Sequence, residues 1–407
     1  MVAVALAAAR CADLEAAGVD LRAPYALRPM NAQPPANRSI FRRLLDAAGW
    51  PVLLVIFIPI AVILQYGGGG STAIFITAAL GVIPTAALMG RATEELAARS
   101  GPGIGGLLNV TFGNAPELII ALVALNAGLQ EVVKASIAGS IIGNILLVLG
   151  ASMFFGGWGR DEQKFSARAA SAQTSMLFLA VAAIVMPAVY ELVVGSGLPK
   201  PNEVIVDYDS SVETLSLVVA AVLLIAYAAG LVFSLKTHRR IFNPEPADLE
   251  AVGESWSVKK SVIALAIAGI AVAAMSEILV GSIEETAKKL DISEFFIGAI
   301  IVAIVGNAAE HWVAVLAARK DQMNLAVNIS IGSSAQIALF VAPVLILASH
   351  LLGPHPMALV FNGFELAALI LSALLASQVT QDGRSNWFEG LQLLAVYVII
   401  AFSFLIA

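Results

Sequence analysis

Apolar runs of roughly twenty residues recur along the whole chain, each closed by a short polar gap. A run of about 20 apolar residues is long enough to cross the hydrocarbon core of a bilayer as a helix. The pattern predicts eleven spans, near 51–66, 72–90, 104–125, 132–154, 170–193, 213–235, 260–281, 294–317, 323–348, 357–377 and 388–406. The first is short, and Pro51, Pro59 and the four glycines at 67–70 blur its ends. Two stretches lack the pattern. Residues 1–40 contain RAPYALRPMNAQPPANR and read as a polar tail. Its apolar VAVALAAA follows Met1 directly, without the basic residues that precede the core of a signal peptide. Residues 236–258 read as a polar linker, made locally acidic by Glu245, Asp248, Glu250 and Glu254.

The charges in the gaps orient the spans. The tail holds Arg10, Arg22, Arg28, Arg38, Arg42 and Arg43. The gaps after spans 2, 4, 6, 8 and 10 hold Arg91 and Arg99, then Arg160, Lys164 and Arg168, then Lys236 to Lys260, then Arg319 and Lys320, then Arg384. The alternate gaps hold fewer: Lys134, Lys200, and the pair Lys288 and Lys289. Basic residues collect on the cytoplasmic side, so the N-terminus is predicted inside and the C-terminus outside. An Ala-rich chain without targeting features suggests a bacterial cytoplasmic membrane; a vacuolar membrane stays open.

Composition sharpens this reading by exclusion. The 407 residues are 59% hydrophobic and 13% charged, against about 25% charged in ordinary soluble domains. Cys11 is the single cysteine, so no intrachain disulfide and no CxxC site can form. The four histidines form no ligand-spaced cluster, and HExxH and GxSxG are absent, so an enzyme is not expected and no cofactor is called for. The net charge of −6 includes no long basic block, which argues against nucleic acid.

One stretch repeats. GNAPELIIAL starts at Gly113 and GNAAEHWVAV at Gly306. A shift of 193 places Gly113, Asn114, Ala115 and Glu117 on Gly306, Asn307, Ala308 and Glu310, and Gly139-Ser140 on Gly332-Ser333. A shift of 190 places Glu94-Glu95 on Glu284-Glu285. The copies are spans 2–6 and 7–11. Five spans is an odd number, so the second copy is inverted in the membrane, an arrangement that puts transporter sites where the halves meet at the midplane. The organisation predicted is a tail (1–40), a first helix (41–70), a first five-helix repeat (71–235), the linker (236–258) and a second five-helix repeat (259–407). The fold class is an all-α polytopic membrane protein.

Glu117 and Glu310 are the candidates for chemistry. A charge at mid-bilayer costs about 2.5–3.5 kcal/mol on insertion scales, and neither motif contains a Lys or Arg to offset it. Protons or a cation remain as partners. Asn114 and Asn307 lie three residues before the acids, on the same helix face. Gly113 and Pro116 weaken the helix at the first motif and can free carbonyls toward a cavity. A hard divalent cation such as Ca2+ takes about 6–8 oxygens, and two carboxylates, two amide oxygens, carbonyls and water can supply them. When the ion leaves, protons neutralise the same carboxylates. Competition of Ca2+ and H+ for one place is the logic of exchange.

Other polar residues flank these motifs. Ser140, Asn144, Ser333 and Gln336 are candidates to face the carboxylates, with close helix packing the alternative role for the neighbouring glycines. His311 follows Glu310 on a different helix face and reads as a supporting or proton-handling group. Glu94, Glu95, Glu284 and Glu285 read as acidic pairs at the two mouths, or as ordinary interfacial charge. Glu365 and Glu389 open the last two spans and read as interfacial.

GNAPE and GNAAEH, followed by GSIIGN (139–144) and GSSAQIALF (332–340), resemble the calcium/proton exchangers of the cation/calcium antiporter superfamily. SAQTSMLFLA (171–180) and NWFEGLQLLAVYVII (386–400) are similar to the same family's later spans. The resemblance covers residues 40–407. It implies one helix plus two inverted five-helix repeats, with Glu117 and Glu310 as central cation ligands and Asn114, Asn307, Ser333 and Gln336 near them. It also implies that spans 1 and 6 slide over the core that bears the site. Relatives that exchange sodium for calcium usually carry Thr-Ser where this chain has Asn-Ala before the acid. The function expected is an antiporter exporting Ca2+ from the cytosol against entering H+. A sodium- or potassium-coupled exchanger and, from another class, a passive cation channel stay open. So do Mn2+ and other divalent ions as cargo, and assembly as a homo-oligomer in the lipid bilayer.

Overall fold

The computed structural model describes residues 50–201, 203, 208–238 and 256–407. The polar tail, the start of the predicted first helix at 41–49 and most of the linker lie outside the described residues. The chain divides into two units, Met1–Val52 and Leu53–Ala407, and only the last three residues of the first are described. The second unit carries the fold.

Thirteen helices are present among the described residues: α1 Trp50–Tyr66, α2 Ser71–Arg99, α3 Gly101–Phe112, α4 Ala115–Asn126, α5 Gln130–Gly157, α6 Ala167–Val193, α7 Ser210–Thr237, α8 Val258–Gly281, α9 Ile283–Leu290, α10 Glu294–Arg319, α11 Met323–Ser349, α12 Gly363–Val379 and α13 Trp387–Ile406. Eight are long and apolar enough to cross a membrane, and α1, α4 and α12 are shorter apolar helices. With α3 and α4 forming one broken span and α9 standing apart, all eleven predicted spans are present. Two strands of two residues, β1 Gln163–Lys164 and β2 Arg384–Ser385, pair antiparallel.

Several boundaries differ from expectation, each for a local reason. Span 3 breaks between Phe112 and Ala115, where Gly113 gives flexibility and Pro116 in the first turn of α4 cannot donate to the preceding turn. The matching position in the second repeat is Ala309, and α10 runs through unbroken. The span predicted at 357 becomes helical only at Gly363. Asn362 caps it, its Oδ1 accepting from the backbone N–H groups of Phe364 and Glu365 while Glu365 reaches back to the N–H of Asn362. Residues 357–362 before this cap form neither helix nor strand and are buried. Span 2 continues to Arg99, so Glu94 and Glu95 sit inside a helix, whereas Glu284 and Glu285 open the separate short helix α9. The acidic pairs matched by the shift of 190 are therefore on unlike elements.

Burial sorts the helices into a centre and a rim. The most apolar window of α5 is 94% buried, that of α7 and α13 only 22%. Side chains such as Ile225, Ile399 and Ile406 on the rim are exposed. Lipid is as apolar as these side chains, so close packing of small residues holds transmembrane helices together instead. Accordingly, a Cβ added at Gly139 on α5 would overlap the carbonyl of Ala299 on α10. The two helices meet backbone to backbone.

Lys134, expected in a loop, and Glu365, expected at the interface, are both buried. Lys134 Nζ pairs with Glu131 at 2.7 Å, donates to the carbonyl of Val360 at 2.9 Å, and lies 5.7 Å from the ring centre of Tyr208. It thus ties α5 to the buried, irregular 357–362 segment, whose backbone also needs partners; Ser349 and Ser216 accept from the N–H groups of Met357 and Leu359. Lys134→Met keeps the stem and removes the charge. It leaves Glu131 and the Val360 carbonyl unmatched, an expected cost on the order of 3 kcal/mol, read as a lowered unfolding midpoint of the purified protein. On the polar rim Arg384 donates to Glu162 at 2.8 Å, which holds the Glu162 carboxyl below the usual carboxylate range.

Candidate functional site

The break between α3 and α4 sets the first half of the site. Asn114 occupies the N-cap position of α4 with φ −98° and ψ 20°, yet its side chain makes no capping bond. Instead Nδ2 donates to Gln336 Oε1 on α11 at 2.6 Å. Glu117 follows in the first turn of α4, near the positive end of the helix dipole. In the second half, Asn307 Nδ2 on α10 donates to Ser140 Oγ on α5 at 3.2 Å and to the Ala303 carbonyl at 3.0 Å. Glu310 Oε2 accepts from Ser333 Oγ on α11 at 3.0 Å.

The halves interlock reciprocally. A Cβ at Gly306 would stand 3.3 Å from Cγ of Glu117, and one at Gly113 would stand 3.9 Å from Oε1 of Glu310. Each acid therefore lies against the glycine of the other acid's motif, and the absent side chains leave room for it. Both asparagines are almost fully buried.

Both Asn amide groups spend their N–H donors on neighbours, which turns their oxygens the other way. Asn114 Oδ1, Asn307 Oδ1 and Glu117 Oε2 are buried and accept no hydrogen bond. A buried acceptor left unpaired costs about 1–3 kcal/mol. Three such oxygens on two adjoining motifs form a set suited to a hard cation. Among the described residues no group of three or more His, Cys, Asp or Glu could hold a metal ion, so this set is two acids plus neutral oxygens.

The remaining candidates fall into two groups. Ser140, Ser333 and Gln336 touch the Asn and Glu side chains directly, as above. His311 Nε2 bonds with Asn144 Oδ1 at 3.1 Å, joining α10 to α5 one residue beyond Glu310. Glu94 lies on α2, a helix that packs against α10, which carries Glu310. The other mouth candidates are held elsewhere. Glu95 Oε2 accepts from the Trp256 backbone at 3.0 Å. Glu284 pairs with Lys288 at 2.6 Å, a bond that holds its carboxyl below the usual range, and Glu285 is exposed beside it. Ser334, which the sequence reading passed over, bonds to the carbonyls of Ser330 and Ile141 and fastens α11 to α5. Its one sequence signal is its place, 193 residues after Ile141, inside the repeated segment.

The family model for sodium/calcium exchanger proteins matches residues 70–236 and 260–406. The chain is 43% identical over 364 residues to a Ca(2+)/H(+) antiporter of Aphanothece halophytica, covering 86% of this chain and 95% of that one. It is 43% identical over 356 residues to the Ca(2+)/H(+) antiporter ChaA of Bacillus subtilis, covering 87% and 97%. The solved structure of native YfkE superimposes with a TM-score of 0.74 at 40% identity, covering 88% of this chain and all of that one. The H+/Ca2+ exchanger CAX, at 16% identity and a TM-score of 0.65, shares the fold over 87% of this chain.

Proposed function

We propose that this chain, a membrane protein that belongs to the sodium/calcium exchanger protein family, is a secondary active antiporter exchanging Ca2+ for H+. The observation that carries the reading is the reciprocal pair of buried acids, each seated against the other motif's glycine and flanked by orphaned amide oxygens. The names of relatives at 43% identity support the same exchange. Under this reading Glu117, Glu310, Asn114 and Asn307 supply oxygens to Ca2+. Ser140, Ser333 and Gln336 orient them, and His311 with Asn144 braces α10 against α5. With the ion absent, protons neutralise the two carboxylates, and the two cargoes exclude each other. The N-terminus faces the cytosol, Ca2+ leaves and H+ enters. The chain is read as a transporter and not as an enzyme.

The test is Ca2+ uptake into liposomes containing the purified full chain, driven by an imposed pH gradient with no sodium or potassium gradient. Uptake that follows the pH gradient supports the proposal. Uptake that ignores pH and follows sodium overturns it. The mouth residues give a second measurement. Glu94, on a helix packed against that of Glu310, is read as contributing to loading, so Glu94→Gln raises the KM for Ca2+. Glu284 is exposed and already paired, so Glu284→Gln changes KM by less than about two-fold. Ca2+ titrations of initial uptake rate check both.

A further inference from the structure

The second repeat opens on a groove that the exchange reading leaves unused. Trp256 leads into α8, and Ser257 caps that helix, its Oγ accepting from the N–H of Lys260 at 3.2 Å. The Trp256 backbone is fastened to α2 by its 3.0 Å bond to Glu95. Its ring draws a cation from each helix. The guanidinium carbon of Arg91 on α2 lies 4.8 Å from the ring centre, and Lys260 Nζ on α8 lies 4.4 Å from it, both within cation–π range. Beside this fixed entry, an open groove of about 360 Å3 is lined by Ser257, Lys259, Lys260, Ile263, Ala264 and Ile267. Lys259 and Lys260 stand four residues before Ile263 and Ala264, and Ile267 follows one turn later, so these residues form one stripe. From Lys260 to Ile267 the stripe runs about 10 Å along the helix.

We propose that this groove binds one anionic phospholipid of the leaflet on the linker's side, with its phosphate against Lys259, Lys260 and Ser257 and one acyl chain along Ile263, Ala264 and Ile267. The match is one of charge and of shape. Two ammonium groups sit at the polar end, no acid is among the lining residues, and among the described residues neither lysine is ion-paired with an acid. Ser257 Oγ accepts as the cap, which leaves its O–H to donate to a phosphate oxygen. At the apolar end Ile263 and Ile267 are half-exposed and flank the smaller Ala264, which forms the recess between them. A free anion would leave that apolar end unused, and a zwitterionic headgroup brings no net charge to the lysines. Each basic residue at a membrane surface favours anionic lipid about five-fold. The inference goes beyond the exchange reading and does not rest on it.

The test takes the purified full chain, freed of copurified lipid, and counts bound lipid by native mass spectrometry. Phosphatidylglycerol and phosphatidylcholine with the same acyl chains are titrated separately. The parent is expected to bind one phosphatidylglycerol at least about ten-fold more tightly than phosphatidylcholine. Lys259 is exposed and takes no part in the Trp256 contact, so Lys259→Gln keeps the fold. It is expected to weaken phosphatidylglycerol about five-fold and to leave phosphatidylcholine unchanged. Ala264→Leu fills the recess and is expected to weaken phosphatidylglycerol as well, while an excess of inorganic phosphate does not displace it. A parent with no preference for phosphatidylglycerol overturns the inference, and so does a preference that survives unchanged in both variants. Displacement by inorganic phosphate would reduce the groove to an anion site and overturn the lipid. Binding that emerges only after Glu250→Gln and Glu254→Gln would give the groove to the chain's own acidic linker, which also overturns it. Ca2+ uptake enters none of these outcomes, so the exchange reading stands or falls separately.

Discussion

Glu310→Gln abolishes pH-gradient-driven Ca2+ uptake, and Glu117→Gln does the same. The expected loss is at least about 100-fold in rate at subsaturating Ca2+, since removing one partner of a buried charge interaction typically costs about 3–5 kcal/mol and 1.4 kcal/mol is tenfold. Two carboxylates balance one divalent ion, so a single neutral glutamine leaves an excess positive charge whenever Ca2+ is bound. It also removes one of the two proton carriers. Glutamine retains an oxygen able to accept from Ser333 Oγ, so Glu310→Gln keeps the 3.0 Å contact to α11 in kind. The variants should therefore melt near the parent while failing to transport. Radioactive Ca2+ uptake alongside unfolding curves separates the two effects. Uptake surviving both substitutions would place the site elsewhere.

Gly139→Ala is expected to have the second large effect, by a different route. A Cβ at Gly139 overlaps the backbone carbonyl of Ala299, which cannot rotate away as a side chain can. Helices α5 and α10 must separate, with an overpacking cost of about 1–3 kcal/mol or more. Their separation also stretches the bond between Asn307 Nδ2 and Ser140 Oγ, already 3.2 Å and only one residue along α5 from Gly139. Transport and stability should fall together here, unlike in the Glu variants. Parallel measurements of unfolding midpoint and Ca2+ uptake check it; a folded protein with the parent's uptake would show that the interface can adjust.

The candidate site was partly legible because duplication wrote it twice. Asn114, Glu117, Asn307 and Glu310 stand out as polar groups repeated at a fixed spacing inside apolar runs, and the structure gathers all four. The helix break was legible in Gly113 and Pro116, as was its absence where Ala309 replaces the proline. Lys134 and Glu365 were misplaced because hydropathy averages a charge into its window. It cannot tell a lysine facing water from one whose ammonium finds Glu131 and the Val360 carbonyl. Glu284 matches Glu94 by the shift of 190, and the pairing with Lys288 that the structure shows was not legible from that match.

The sequence by itself determined the eleven spans, the helical class and the paired motifs. These follow from local physics: runs of apolar residues must be helical in lipid, and an acid inside such a run needs a partner. Only the tertiary structure decided which carboxylate rests on which glycine, which way the amide oxygens turn, and that the ring of Tyr227 stacks on Phe340. Those facts depend on contacts between residues far apart in the chain. Such contacts leave no periodic trace in the sequence, and close backbone packing of α5 on α10 selects them.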